Sequence, residues 1–398
     1  MLTNRQLFLQ HLAQTSDAPM LLEVEKAEGV FLYDNKGKKY FDLISGISVS
    51  NIGHCHPKVV EAVKNQVEKY MHLMVYGEYI QSPQVELAQL LTSLLPKNLS
   101  SVYFTNSGSE ANEGALKLAK RYTQRTEIVA FKNAYHGSTH GALSIMGNEY
   151  FKQSFRPLLS EIRFLEFNNF IDIEQITEKT ACVIVEPIQG EAGAVCPEPG
   201  FLQSIRNKCN ATGTLLIFDE VQTGFGRTGY LFAYQKYNVV PDILTIAKGM
   251  GGGMPIGAFI SSKEIMNSLS YNPVLGHITT FGGHPVSAAA AIANIKVILD
   301  ENLISTVEEK EKLFKQNLDK NFISDINGCG LLLSVNLNSE ILVKKLIKEG
   351  LKAGFITDWF LFNDCRFRLA PPLTISNQQI LESVNLINVA LGKIRQSK

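Results

Sequence analysis

Through the middle of the chain, short apolar runs alternate with longer segments of mixed polarity. "SVYFTN" (101–106), "EIVAFKN" (127–133), "IRFLEF" (162–167), "ACVIVEP" (181–187), "TLLIFDE" (214–220), "DILTIAK" (242–248) and "GAFISS" (257–262) are mostly β-branched or aromatic. Near-continuous apolarity predicts strands buried on both faces, as in a parallel sheet. Between the first two runs, "SEANEGALKLAKRYTQR" (109–125) sets Ala111, Ala115, Leu118 and Tyr122 at helical spacing. Strand, turn, helix, strand is the α/β pattern, a mostly parallel sheet covered by helices.

The two ends are patterned differently. Residues 21–50 read as a meander around "GVFLYDNKGKKYFDL", with a turn at Asp34-Asn35-Lys36-Gly37. A helix is predicted from about 285 to 303, and beyond it strands such as "GCGLLLSVNL" and "CRFRLAPPLTI" alternate with amphipathic helices. A chain of 398 residues exceeds one small core. The expected division is an N-terminal segment (1–52) joining a smaller α+β domain, a large α/β domain (53–285), and a C-terminal small domain (286–398).

Composition narrows the function. Lys+Arg and Asp+Glu balance at 38 each, which gives no electrostatic case for nucleic acid or an anionic membrane. The six cysteines are scattered without a CxxC pair, as in a protein kept reduced. No stretch approaches the roughly 20 apolar residues of a membrane helix, and the first residues lack the pattern of a signal peptide. A cytoplasmic location is expected.

In open α/β sheets, ligands bind beyond the carboxyl ends of the strands. Five such ends carry chemistry here. Thr105-Asn106-Ser107-Gly108-Ser109-Glu110 opens a helix, and reads either as an anion cradle or as an ordinary Ser cap. "FKNAYHG" puts Tyr135 and His136 after a strand, where both are also common as packing residues. Asp219 and Glu220 end a buried run, costly without a partner. "VEPIQGE" supplies Glu186 and Glu191. Lys248 ends "TIAK" and precedes Gly249-Met250-Gly251-Gly252-Gly253. It reads as a snorkelling strand-end lysine or as a nucleophile whose approach the glycines keep clear. An anion site, an aromatic, a carboxylate and an amine at neighbouring strand ends together match what pyridoxal phosphate requires. "GFGRTG" (224–229) has the spacing of a dinucleotide motif but sits beyond the first βα turn, and "GHCHP" (53–57) lacks a second ligand pair for a metal.

From about residue 20 onward the chain resembles the class III, or ω-amino acid, aminotransferases, which are fold-type I pyridoxal-phosphate enzymes. The stretches that carry this are "GKKYFDLISGISVSNIGHCHP", "TNSGSEANEGALKLAK", "NAYHG", "VEPIQGEAG", "LLIFDEVQTGFGRTG", "PDILTIAKGMGGGMPIGA", "TTFGGHPVSAAAA" and "RLAPPLTI". The resemblance implies that Lys248 carries the cofactor as a Schiff base, Asp219 holds the pyridine nitrogen protonated and Gln222 bonds the ring's phenolic oxygen. It implies Tyr135 stacked on the ring, Gly108 and Ser109 at the phosphate, and Thr280 reaching the phosphate of a neighbouring subunit in a homodimer with shared sites. Arg368 would grip an α-carboxylate, and Glu191 would neutralise that arginine when an ω-amine enters. Without the resemblance, Glu191 and Arg368 read as unrelated surface ion pairs worth about 0–1 kcal/mol.

The implied reaction moves an ω-amino group from acetylornithine, ornithine or a related ω-amino acid to 2-oxoglutarate by a ping-pong mechanism. Alternatives are a 4-aminobutyrate or diaminopelargonate-type aminotransferase, a glutamate-semialdehyde mutase, or a binding protein that keeps the fold without turnover. Three departures bear on the donor: Ser138 where the acetylornithine branch has Arg, "SGIS" (45–48) where ornithine enzymes carry a tyrosine, and His284 where Asn is usual.

Overall fold

The computed structural model describes residues 2–396. Three strands at the N-terminus, β1 (Val24–Glu28), β2 (Phe31–Asp34) and β3 (Lys39–Asp42), form an antiparallel meander. The predicted turn lies between β2 and β3, where Gly37 takes φ +78°.

The seven middle runs all form strands of one sheet: β4 (Ser101–Thr105), β5 (Glu127–Phe131), β6 (Ile162–Leu165), β7 (Thr180–Val185), β8 (Leu215–Asp219), β9 (Ile243–Ile246) and β10 (Gly257–Ser261). Their order is β4-β10-β9-β8-β7-β5-β6, and only β10 runs antiparallel to its neighbours. Every residue of β7, β8, β9 and β10 is buried, which is why these runs lack polar alternation. Helix Gly108–Thr123 covers one face through Ala115, Leu118 and Ala119, while Phe201, Ile205 and Cys209 of helix Phe201–Thr212 pack on the other.

Helix Pro285–Asp300 places Ala288, Ala291, Ile295 and Ile298 in the same core as β8 and β9. A second core forms around β11 (Ile326–Cys329), β12 (Leu332–Asn336), β14 (Trp359–Phe360) and β15 (Asn363–Leu369), in the order β11-β12-β15-β14. "GCGLLLSVNL", expected as one strand, is the hinge and second arm of a hairpin. Gly330 at φ +61° turns the chain inside an apolar run, and β11 and β12 pair antiparallel across it. Between β12 and β14 in the chain, β13 (Phe355–Ile356) joins β3 in parallel, so C-terminal residues complete the N-terminal sheet.

"GFGRTG" fastens the two cores together. Arg227 is fully buried and donates to the carbonyls of Leu331 and Pro371 and to Asn51 Oδ1. Burial pushes its guanidinium down to about 9. "GHCHP" is a junction too: His54 bridges Gly29 through the backbone, and its Nε2 meets Asp42 Oδ2 at 2.7 Å.

Candidate active site

The carboxyl ends of β4, β5, β7, β8 and β9 open into a cavity of about 430 Å³, bounded by Gly108, Tyr135, Asp219, Gln222 and Lys248 among others. A second cavity of about 340 Å³ adjoins it and is lined by Ile47, Asp358, Trp359 and Arg368. Tyr135, Glu191 and Lys248 line both.

Asp219 ends β8 and is buried among donors. Its Oδ2 accepts from Asn112 Nδ2 at 2.7 Å and from His136 Nδ1 at 2.8 Å, and its Oδ1 accepts from the Val221 amide at 3.0 Å. A carboxylate only accepts, so Nδ1 of His136 is the donor to it, and Nε2 is buried without a partner among the described residues. Asn112, which the sequence reasoning missed, is itself oriented by Thr245 Oγ1 at 2.7 Å and holds the His136 carbonyl at 2.8 Å. Asn at a core position of an amphipathic helix was the only available signal.

Glu220, the next residue, points the opposite way. It is buried in the core and accepts from the Ala233 and Tyr234 amides at 2.6 and 2.7 Å and from Thr223 Oγ1 at 2.9 Å. Burial nevertheless pushes its carboxyl up to about 7. Glu186, also pushed up to about 7 by burial, accepts from the Tyr135 and Gly190 amides, each at 2.9 Å.

Lys248 stands two residues past β9, not at its end, in the left-handed region at φ +41°. Such a backbone costs a non-glycine residue about 1–3 kcal/mol and is characteristic of functional sites. Burial first, then the nearby Arg368, lowers its amine from the usual lysine range, against the opposing pull of Glu191. Gly253 lines the cavity, and a Cβ there would meet nothing within 4 Å, but the glycines nearer the lysine answer to packing instead. A Cβ on Gly249 would lie 2.4 Å from Asn51 Nδ2, and one on Gly251 would lie 2.0 Å from the Met254 carbonyl. They let the backbone fold tightly beneath the site, where Asn294 Nδ2 ties down the carbonyls of Gly249 and Met250.

At the other rim, Ser107 caps the helix that starts at Gly108, its hydroxyl accepting from the Glu110 amide at 3.2 Å. The amides of Gly108 and Ser109 lie in the open first turn, where helix geometry leaves donors free for an anion. The Ser109 hydroxyl is engaged with Thr139 Oγ1 at 2.7 Å. Close packing fixes this loop, since a Cβ on Gly108 would meet Val221 at 2.6 Å and one on Gly137 would meet Ser109 Oγ at 2.2 Å. Gln222 Nε2 faces the cavity, buried and unpartnered. Together the open helix turn, the bare Gln222 donor, the donor-bedded Asp219 and the buried amine fit pyridoxal phosphate.

Thr280 is exposed and outside this cavity's lining. Its neighbour Thr279 accepts from Asn106 Nδ2 at 3.0 Å, which sets the segment against the outer rim. Ser138 bonds the Tyr135 hydroxyl at 3.2 Å. His284 lies away from both cavities and caps helix Pro285–Asp300, Nδ1 accepting from the Val286 amide at 3.3 Å. Residues Ser45, Gly46, Ile47 and Ser48 form a left-handed turn, φ +50° to +63°, that brings Ile47 to the second cavity.

Arg368, on β15, is 1% exposed. Its Nη2 donates to both oxygens of Glu191 at 3.0 Å, and its Nε donates to Asp358 Oδ1 at 2.9 Å. Glu191 and Arg368 are thus a buried pair and not separate surface ions. Arg368 lowers the Glu191 carboxyl against the opposite push of burial, while burial raises Asp358 despite Arg368.

A strand-end cavity lined by a buried amine and a buried carboxylate is what a pyridoxal-phosphate enzyme requires, and comparison with known proteins gives the family. Residues 12–391 match the family described as aminotransferase class-III, and the chain belongs to it. It is 39% identical over 385 residues to the acetylornithine aminotransferase of Methanocaldococcus jannaschii, covering 93% of this chain and 94% of that protein. It is 37% identical over 384 residues to a LysW-aminoadipate semialdehyde/glutamate semialdehyde transaminase of Sulfolobus acidocaldarius, covering 94% and 95%. The solved ornithine aminotransferase of Toxoplasma gondii superposes with a TM-score of 0.91 at 26% identity, covering 98% of this chain and 94% of that one. The chain is therefore a pyridoxal-phosphate-dependent aminotransferase of fold type I.

Proposed function

We propose that the enzyme moves the ω-amino group of N-acetylornithine, ornithine or a close relative to 2-oxoglutarate, in two half-reactions at one site. The observation that carries this is the closed Glu191–Arg368 pair beside Lys248. An arginine covered by a carboxylate suits a donor whose reacting end bears no carboxylate, and an arginine uncovered suits a 2-oxo acid. The names of the relatives support the same donor class.

Bound pyridoxal phosphate supplies the carbonyl that takes up the amino group and the ring that accepts electron density. The rest is the protein's. Asp219, fixed by three donors, keeps a negative charge at the cavity floor. Lys248 Nζ, held towards neutrality by burial, takes the proton from the carbon bearing the amino group and later returns it. The Gly108 and Ser109 amides would hold the phosphate, Gln222 Nε2 would donate to the ring oxygen, and Tyr135 would flank the ring. Thr280, exposed on one protomer, serves the site of the other in a homodimer. The six unpaired cysteines support a reducing, cytoplasmic setting.

Ser138 favours a second reading. At the position where the acetylornithine branch has Arg, a hydroxyl bonded to Tyr135 offers no cation to a donor's carboxylate. A shorter ω-amino acid such as 4-aminobutyrate, whose carboxylate lies nearer its reacting amine and need not reach Ser138, then becomes the competing donor. A panel of amino donors with 2-oxoglutarate and with pyruvate, scored by glutamate or alanine formed, tests both. Fastest glutamate formation with N-acetylornithine or ornithine supports the first reading. Activity with α-amines alone would overturn both.

A further inference from the structure

Arg368 is held by two carboxylates, and only Glu191 belongs to the exchange proposed above. The three guanidinium nitrogens are treated unequally: Nη2 meets Glu191, Nε meets Asp358, and Nη1 is buried with no partner among the described residues. The two anchors also differ in origin. Asp358 immediately precedes β14, which pairs with β15, and the Arg368 amide donates to the Asp358 carbonyl at 2.9 Å. Thr357 Oγ1 adds a bond to the Arg368 carbonyl at 2.6 Å, and the Phe360 ring covers the guanidinium with its centroid 4.3 Å away. Glu191 instead reaches across from the loop after β7, its carboxylate held by the guanidinium and by the Leu361 amide at 3.2 Å. Asp358 is built into the arginine's own hairpin, whereas Glu191 comes from the other sheet.

We infer that Asp358 is a positioning and specificity residue for the acceptor carboxylate. By gripping Nε it turns Nη1 and Nη2 outward as a two-pronged face, and by its charge it keeps Arg368 neutralised when Glu191 withdraws. With both carboxylates in place the trio carries one net negative charge, which repels the carboxylate of any donor entering wrong end first. With Glu191 withdrawn the net charge is zero. A 2-oxo acid is then bound by the geometry of two parallel N–H donors, and not by a surplus cation. Binding stays reversible, which a site serving two substrates in turn requires.

The inference rests on Arg368 as the carboxylate-binding cation. Its test uses Asp358→Asn and Asp358→Ala in the cofactor-loaded enzyme, with each half-reaction followed separately by single-turnover absorbance. Asparagine keeps an oxygen for Nε but removes the charge, so the acceptor binds about tenfold tighter and α-amino acids gain on ω-amines as donors. Alanine removes the grip as well, the fork loses its orientation, and the acceptor binds about tenfold weaker. Opposite signs are the expected signature, since a residue that only braced the hairpin would shift both variants the same way. Shifts of one sign, or shifts under about twofold, overturn the inference. If the alanine variant does not fold, the sign for asparagine alone decides. Arg368→Ala run alongside separates the two levels: an intact acceptor half-reaction in that variant defeats the Arg368 assignment itself.

Discussion

The floor of the site and its gate are both built around buried charge, yet by opposite construction. At the floor, Asp219 belongs to the fully buried strand β8, and its donors are Asn112 of the covering helix, His136 from the loop after β5 and the Val221 amide from the turn after β8. Nothing there can move without opening the core. At the gate, Arg368 sits in the C-terminal sheet, Glu191 comes from the large sheet, and the pair spans the junction. Asp358 still pairs with Arg368 when Glu191 withdraws, so in the proposed gate an incoming carboxylate has only the Glu191 bonds to replace. A fixed floor suits chemistry common to both half-reactions. An exchangeable gate suits the step at which they differ.

The largest effects should come from the floor and strike both halves alike. Lys248→Ala is expected to abolish transamination while the protein still binds the cofactor, read from visible absorbance and product formation. Borohydride reduction and peptide mapping should locate the cofactor on Lys248, and attachment at another lysine would refute the assignment. Asp219→Asn places an amide where His136 and Asn112 both donate, and removes the charge. A rate loss of about 10²–10³ in each half-reaction is expected, the range for deleting an electrostatic group at a reacting centre. Single-turnover rates near wild type would remove Asp219 from its role. Loss in one half only would break the contrast with the gate.

How much of this was legible in the sequence depended on whether the signal was local. All seven strands of the large sheet were readable because burial on both faces leaves an unbroken apolar run, and their carboxyl ends pointed to Asp219, Glu186 and Lys248. The hairpin of β11 and β12 was not, because its turn at Gly330-Leu331 sits inside an apolar stretch without polar punctuation. Asn112 and Asp358 were invisible for another reason: each is defined by a partner far away in sequence. Gly253 borders open cavity as its texture suggests, whereas the neighbours that demand Gly249 and Gly252, Asn51 and Asn294, come from distant segments. Thr280 is exposed and lines neither cavity, so the role proposed for it needs a second subunit.

Glu220 tests whether the floor is truly part of the core. Its carboxyl is raised from the ordinary 4.5 to about 7, because burial outweighs its three donors. A raised folded value means the folded protein binds the proton more tightly than the unfolded chain. The stabilising contribution is therefore full below pH 4.5, and is lost as pH rises towards 7, after which the deficit is constant. The span corresponds to about 3 kcal/mol, at roughly 1.4 kcal/mol per unit. Glu220→Gln cannot titrate, so its thermal midpoint should gain on wild type between pH 5 and 7 and run parallel above that. Parallel curves throughout would mean that the donors keep Glu220 ionised, and that the strand end holds two adjacent anions.

The smallest expected effect is at the gate, and it should be lopsided. Glu191→Gln leaves an oxygen to meet Arg368 Nη2 and an amide that repels it, so the guanidinium is covered but no longer fully neutralised. The donor half-reaction then loses discrimination: α-amino acids, whose carboxylate seeks the cation, gain on ω-amines by about tenfold, close to 1.4 kcal/mol. The acceptor half-reaction, in which Glu191 has already withdrawn, should be nearly unchanged. Arg368→Ala should show the complement, weak binding of 2-oxoglutarate with the ω-amine step largely kept, since a cation absent needs no cover. Because Asp358 stays charged in the Glu191 variant, the relaxation should be partial, and pairing Glu191→Gln with Asp358→Asn should widen it further. Stopped-flow measurement of each half-reaction, with one α-amine and one ω-amine donor, reads all four quantities. Equal losses in both halves for Glu191→Gln and Arg368→Ala would mean that the pair is a structural strut, and the gate would be no more exchangeable than the floor.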